Sequence, residues 1–595
     1  LRASEATNVI QPKDKVGSLS FRMDAAMQDQ PLVLRIGLSY RWLLLPLLAC
    51  LSLICGAVLY LGCSYDRLAA WYLGLNSCFY KSYEWQQMFF TPATHAKGRK
   101  LCIAGIVLAL ALVAWLLRAF LRRKSWRLDL SYSKADRIAV IGLWTFGFVI
   151  WLYGMLRAVP GYDEVFSAVN CAGIHPFQAA TYYMLPNNHV FFNLLNSLLG
   201  RLFSDNLLSA RIISGCAAFA LIPVLYKWMR HLRIPAGVAA AFVALMLLQF
   251  PVWGFAFQGR GYLLYLLCAW TAFISLQHYF DSGNRMMLAP HILATVIGFW
   301  IMPTYLFWEA AILMYALYGV IRTRQIRAEL IAAFGVAAGF VILAYLPLLC
   351  FSGLGAITEN RYVVAEKAPF ASYAPDFWNG FRSGIQYTFS GSVDAKNGSY
   401  LVAFFLPMAL LPFLFRRRVF STLLFLLFVW VSFTGLLFYM QRFPFMRNLI
   451  AHSSLTLAAL LICGYTIIHA VLKTRLSWLQ AALPILGCLA VGLHFAQFNR
   501  QHIYDSLYFY QSESRYNTLH DTILKLPADA KVWVSAEGFY WEYLCKRHGL
   551  PASMCLGPAA THYIRMETEP LPPELEGRVE KIYQADEYEI LRIKQ

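Results

Sequence analysis

Residues 322–351 read RTRQIRAELIAAFGVAAGFVILAYLPLLCF. Three arginines, Arg322, Arg324 and Arg327, stand just before a run over 329–351 whose interior carries no charge. About 20 consecutive apolar residues are what a helix needs to cross the hydrocarbon core of a bilayer. The arginines would mark the cytoplasmic end, because loops rich in Lys and Arg stay on that side. This pairing of a greasy run with a basic edge recurs along the chain. Further runs lie near 41–63, 101–120, 138–158, 207–227, 235–252, 261–280, 286–302, 304–321, 400–415, 419–440, 447–472 and 479–497, so about 13 spans are expected. The 41–63 run is too long for a signal-peptide core and is read as a retained helix. The chain opens on Leu1, and Met23 is expected as the initiator.

Composition agrees. Of 595 residues, 59% are hydrophobic and only 14% charged, where soluble domains average about a quarter charged. This excludes a disordered chain, a fibrous chain and an ordinary soluble enzyme. Net charge is +19, yet residues 498–595 hold 11 basic and 14 acidic side chains. The basic excess is therefore read as loop charge and not as a nucleic-acid surface. Its clusters are Arg118/Arg122/Arg123/Lys124/Arg127, Lys227/Arg230/Arg233, Arg322/Arg324/Arg327, Arg416/Arg417/Arg418 and Lys473/Arg475. With the spans above, all five fall on the side of the N-terminus, making that side cytoplasmic. Segments 64–100, 159–206, 352–399 and the tail from 498 then lie outside, in a plasma (inner) membrane protein with a periplasmic C-terminus. Segment 352–399 reads as a long loop with short amphipathic stretches. The tail reads as a small α/β domain, with strand alternation at Lys531–Ser535 and Tyr588–Lys594 and a helix over Phe539–His548.

Thirteen cysteines, mostly within apolar runs, form no metal or redox spacing. Cys545 and Cys555 share the tail and can pair if it faces an oxidising compartment. Asn397-Gly398-Ser399 matches a glycosylation acceptor, a pattern common by chance.

Polar side chains at membrane depth need reasons. Asp163 and Glu164 in GYDEVFSA are the first: paired carboxylates can hold a hard divalent cation or take a proton, although a solvated helix start would look the same. Asn187-Asn188-His189 lies 25 residues on in the same loop, where the histidine suits a metal, a phosphate or simple anchoring. Arg211 opens a span, and Arg260 sits in QGRGY at the mouth of another; each suits a phosphate or a snorkelling anchor. Glu309, inside a span, is read as a structural hydrogen-bond partner, and His291 and His494 as packed or interfacial. Arg361, Lys367 and Arg382 are weaker candidates for substrate contact.

The order of these features resembles the polytopic glycosyltransferases of the C-type (GT-C) fold, in the branch of the protein O-mannosyltransferases and aminoarabinose (lipid A) transferases. There an acidic pair is followed by an H-P-P-L-Y-F-like stretch, an R-L-P/S segment and an A-R-x-Y-x-L segment. Here the counterparts read DEVFSA, NNHVFFNLLNSLLGRLF, SARIISGCAAFALIPVLY and QGRGYLLYLL, with QRFPFMRNLIAHSSL later. The resemblance covers roughly 138–475 and departs at Val190 and Phe191, where prolines are expected. It implies an all-α polytopic GT-C-like fold with a small extracytoplasmic α/β domain. The division is a tail over 1–40, two added helices over 41–137, a catalytic core over 138–497 and the α/β domain over 498–595. It implies transfer of a sugar from a polyprenyl-phosphate donor to a lipid, glycan or protein acceptor, with inversion. Asp163 would be the base with Glu164 as partner. Arg260 and Arg447 would hold the donor phosphate, with Arg211 and Arg442 next. Asp163, Glu164 and His189 would hold any divalent cation (Mg, Mn or Zn). The alternatives are a lipid-linked-substrate transporter or flippase, an enzyme like the O-antigen ligases, and a non-enzymatic assembly protein.

Overall fold

The computed structural model describes residues 32–38, 40–75, 82–121, 126–185, 188–203, 205–325, 327–359, 369–388, 405–410, 419–441, 444–472 and 477–502. In the tail it describes 518, 520–521, 524–527, 529–534, 538–547, 560–585 and 588–594.

In chain order the elements are β1 (Leu32–Leu38), α1 (Leu44–Gly62), α2 (Tyr65–Leu75), α3 (Ser82–Met88), α4 (Pro92–Leu121), β2 (Trp126–Tyr132) and α5 (Lys134–Arg157). Then come α6 (Tyr162–Phe166), α7 (Pro176–Thr181), α8 (Val190–Phe203), α9 (Asn206–His231), α10 (Ala236–Leu248), α11 (Phe250–Phe257) and α12 (Tyr262–Ser282). They are followed by α13 (Leu288–Ile301), α14 (Leu306–Thr323), α15 (Ala328–Phe351), α16 (Gly355–Thr358), α17 (Phe370–Thr388), α18 (Phe420–Met440), α19 (Ile450–Leu472) and α20 (Ser477–His502). The tail holds β3 (Val532–Val534), α21 (Gly538–Arg547), β4 (His562–Met566), β5 (Val579–Ala585) and β6 (Tyr588–Ile593).

The chain is a multi-pass membrane protein. Among the described residues, ten helices are long and apolar enough to cross a bilayer, and α10 with α11 makes an eleventh if that pair, bent by 68°, is one span. Of the thirteen expected runs, 286–302 forms a helix too short to meet this length, and 400–415 lies largely outside the described residues. The bend between α10 and α11 follows from Pro251, which has no N–H to continue the helix.

Burial sorts the helices into layers. In α12, Leu263, Leu266, Trp270, Phe273 and Leu276 are all fully buried, which makes it the central helix. By contrast α1 and α5 expose Leu59 and Leu156, as lipid-facing helices do. Between helices in lipid the gain comes from close packing and not from expelling water. Accordingly Gly154 of α5 lies under Phe257, and Gly215 of α9 under Trp151. The added pair α1 and α4 packs on α15, where Tyr60 of α1 donates to the Cys350 carbonyl at 2.9 Å, and Trp85 of α3 donates to Ser352, just after α15, at 3.0 Å.

Two features depart from the sequence reading. The segments expected as an N-terminal tail and a basic loop pair as antiparallel strands, β1 against β2, from Leu32↔Tyr132 to Leu38↔Trp126. Segment 352–399 contains the 19-residue helix α17 instead of short stretches only. The tail is a four-stranded sheet of order β3-β4-β6-β5, in which only β3 and β4 run parallel. Its core is Leu544, Ile564 and Ile590, all fully buried. The expected strands at β3 and β6 and the helix α21 are present; β4 and β5 complete the sheet. Cys555 lies outside the described residues, as do Arg361, Lys367, Asn397 and Arg442.

Connectivity gives the bundle two ends. At one, Arg230 of α9 pairs with Asp136 of α5 at 2.8 Å, and His231 meets Asp281. At the other end lie α6, α8 and the turns between α11 and α12 and between α13 and α14.

Candidate functional site

The GYDEVFSA stretch forms α6, a short helix that passes into a π-helical turn over Ser167–Ala172. Such turns widen the helix and recur at functional positions. Glu164 caps the start of α6 by accepting the Gly161 N–H at 3.0 Å. It also accepts from the Gly259 N–H at 2.6 Å and takes a two-pronged bridge from Arg211, Nε to Oε1 at 2.7 Å and Nη2 to Oε2 at 3.0 Å. Four donors fill the roughly four lone-pair positions of a carboxylate. Glu164 is 1% exposed. So placed, it has no lone pair left for a metal or a substrate proton, and Arg211, whose Nη1 also reaches the Ala158 carbonyl, is committed to it. The Glu164–Arg211 pair ties α6 to α9 and to the turn before α12.

Asp163 is different. Its side chain is 25% exposed, and Oδ2 pairs with Arg447 Nη2 at 2.9 Å. Arg447 sits on a 3₁₀ turn, Met446–Leu449, that leads into α19, and its guanidinium lies over the Phe445 ring. Arg260 is 1% exposed and donates from Nη1 to the Asp163 carbonyl at 2.7 Å and to the Ser167 hydroxyl at 2.8 Å. Residues 163, 260 and 447 are thus brought to one place from α6, the α11–α12 turn and the approach to α19.

The turn QGRGY requires its glycines. A Cβ on Gly259 would stand 2.6 Å from Ala210 Cβ, and one on Gly261 would stand 2.8 Å from His189 Nδ1. The bare Gly261 backbone lets its N–H donate to His189 Nδ1 at 3.0 Å. Nδ1 is then the acceptor, and neutral His189 carries its proton on Nε2. Burial, with the Arg260 and Arg447 cations next, holds this imidazole well below its ordinary range. The ring stands edge-on to Tyr262 at 4.8 Å. Asn188, which precedes it, is fixed by Asn193 Nδ2 at 2.8 Å and donates to the Tyr182 carbonyl.

The three residues expected to share a cation do not converge as ligands. Among the described residues no three His, Cys, Asp or Glu side chains group for a metal ion. Glu164 is saturated, and His189 spends Nδ1 on Gly261. Glu309 accepts from Thr295 at 3.3 Å, and His291 lies near the Ala272 carbonyl, while His494 is exposed.

Sequence reading missed Ser167, which shares Arg260, and the tail residues that touch α6. Tyr540 of α21 donates to the Pro160 carbonyl at 2.7 Å and packs on Tyr162. Trp541 and Leu544 share an apolar cluster with Val165, Ala168 and Val169. No local signal joins residues this far apart.

No protein-family model matches the chain, and no curated protein matches it. Solved structures are similar to it. One is the archaeal oligosaccharyltransferase AglB from Archaeoglobus fulgidus in complex with an inhibitory peptide and a dolichol-phosphate: 11% identity over 72% of this chain and 69% of that one, TM-score 0.44. Another is ArnT from Cupriavidus metallidurans in the apo state: 13% identity over 76% of this chain and 97% of that one, TM-score 0.47. A third is the same ArnT bound to undecaprenyl phosphate: 12% identity, the same coverage and TM-score 0.46.

Proposed function

We propose that this chain is a membrane glycosyltransferase that moves a sugar from a polyprenyl-phosphate donor to an acceptor hydroxyl on the extracytoplasmic face, with inversion. The observation that carries the reading is the contact of the accessible Asp163 carboxylate with Arg447, beside the buried Arg260. In this reading Asp163 takes the acceptor proton. The freed oxygen attacks the anomeric carbon from the side opposite the lipid phosphate. The anomeric C–O bond to the phosphate breaks, its electron pair leaves with the phosphate, and that group gains one negative charge.

Arg447 meets this charge, supported by the fixed Arg260 cation. A phosphate entering the site competes with Asp163 for Arg447 and frees the carboxylate to act as base. The Glu164–Arg211 bridge holds α6 in position, and His189 offers its Nε2–H. Removing one positioned donor of this kind costs on the order of 10²–10³ in rate. The donor set does not fit the expected Mg, Mn or Zn, and no step is assigned to a cation. A transporter would show two related halves with paired broken helices; among the described residues the α10–α11 pair is the single bent span.

The test is reconstitution of the purified chain with polyprenyl-phosphate sugars and mass spectrometry of donor and acceptor pools. Asp163→Asn is expected to lose about 10²–10⁴ in turnover. Full sugar transfer by that variant, or by Arg447→Gln, would remove the assignment. Accumulated polyprenyl-phosphate sugar in a deletion strain would name donor and acceptor together.

A further inference from the structure

A cleft of about 690 Å³ opens at the exit of the π-helical turn. Its walls come from three separate parts of the chain. One is the end of α2 at Leu75, from the added N-terminal segment. The second is the exit of the π turn at Ile174 and His175. The third is the junction of α8 and α9, with Ser197, Arg201 and Asn206.

The lining has a definite chemistry. Among the described residues it contains a cation, Arg201, and no carboxylate. The adjacent acid in sequence, Asp205, is turned away into the start of α9, where it accepts the Leu207 and Leu208 N–H groups at 2.8 and 3.2 Å. His175 Nδ1 accepts the Phe177 N–H at 3.3 Å, so a neutral ring presents Nε2–H as a donor. Burial and the neighbouring Arg201 hold His175 below its usual range, which leaves the charge on Arg201. Ser197 spends its proton on the Ile174 carbonyl at 3.0 Å and remains an acceptor for a ligand hydroxyl.

Beside these polar groups is an apolar shoulder. Leu198 and Leu202, one helical turn apart on α8, are 48% and 77% exposed, and Trp71 on α2 is 47% exposed. α8 is too short to cross a bilayer, and such an exposed leucine face suits a membrane surface. Cation, donors and hydroxyl acceptor next to exposed leucines match a molecule with an anionic, hydroxyl-bearing head and an acyl tail.

We propose that this cleft is a second binding site, separate from the Asp163 centre, that takes a phosphate-bearing headgroup, with Arg201 as its cation and the end of α2 as one wall. The α1–α4 segment then has a task in ligand binding besides packing on α15. The proposal stands independently of the sugar-transfer reading.

Native mass spectrometry of the purified full chain in detergent tests it, with dioleoyl phosphatidylglycerol, dioleoyl phosphatidylcholine and inorganic phosphate as probes. The wild type is expected to retain phosphatidylglycerol over phosphatidylcholine. Arg201→Gln is expected to lower that preference about five- to tenfold. Gly74→Trp, at a lining position where an added Cβ meets no atom within 4 Å, is expected to lower it too. Displacement of the lipid by inorganic phosphate assigns recognition to the phosphate alone; retention against it assigns the lipid. Asp163→Asn should bind as the wild type does. No preference in the wild type, a preference untouched by both cleft variants, or its loss in Asp163→Asn would overturn the proposal.

Discussion

Consecutive residues on a helix project about 100° apart, and this divides the two carboxylates of α6. Asp163 turns to an opening beside Arg447, while Glu164 turns into the protein against Arg211 and two backbone N–H groups. Their substitutions should therefore separate cleanly. Glu164→Gln leaves Arg211 buried without its countercharge, and breaking such a pair costs about 3–5 kcal/mol. We expect a clearly lower melting temperature in detergent, with activity falling as folded protein is lost. Asp163→Asn alters a partly exposed pair worth at most about 1 kcal/mol, so its melting temperature should stay near wild type while turnover collapses. A stable, active Glu164→Gln together with an unfolded Asp163→Asn would reverse the roles given to them. Gly261→Ala belongs to the same scale. Its methyl group would crowd His189 Nδ1, so this substitution is expected to reduce turnover at least tenfold in protein that still folds, measured by the same transfer assay.

At the scale of elements, α21 is the strut between the tail and α6. Tyr540→Phe removes one hydrogen bond to the Pro160 carbonyl, worth about 1 kcal/mol. Hydrogen exchange should then speed up over both 538–547 and 162–172, and not in α12. Exchange altered in only one of the two segments would mean that they are not coupled through this contact. What was legible beforehand follows the range of the forces involved. The apolar runs of α5, α9, α12, α14 and α15 announce themselves because lipid contact constrains some 20 successive residues. The β1–β2 pair does not, since its partners stand 88 to 100 positions apart in register and neither strand is constrained alone. Asp163 and Arg260 were visible as costly polar residues at span mouths, and Arg447 only through the order of motifs. That Glu164 and Arg211 would satisfy each other was not, because the bridge depends on where α9 packs. The bend at Pro251 was foreseeable from its chemistry, but its 68° is set by packing.

For the whole molecule, the described Arg230 and Arg327 at one end and the Asp163 centre at the other predict an orientation. Arg324→Cys should react with an impermeant maleimide only in inverted vesicles, and Glu574→Cys, exposed on the tail domain, only in intact cells. The opposite labelling would place the site on the cytoplasmic side. The tail should also carry an acid sensitivity of its own. Burial raises Glu589, but hydrogen bonds from Lys581 at 2.7 Å and Arg565 at 3.0 Å outweigh it and hold the carboxyl below its ordinary 4.5. Burial, with Arg592 next, holds His562 below 6.5. Both folded values lie under the unfolded ones, so the unfolded tail binds more protons as pH falls. Stability is complete above about pH 6.5, declines first through His562, and declines again below about 4.5 as Glu589 takes up a proton in the unfolded chain. Exchange protection in β4 and β6, corrected for intrinsic rates, should therefore drop between pH 7 and 5 while α12 holds. His562→Gln should flatten the upper step and leave the lower one. Protection that rose on acidification, or an upper step unchanged in His562→Gln, would show that these two groups do not set the tail's response.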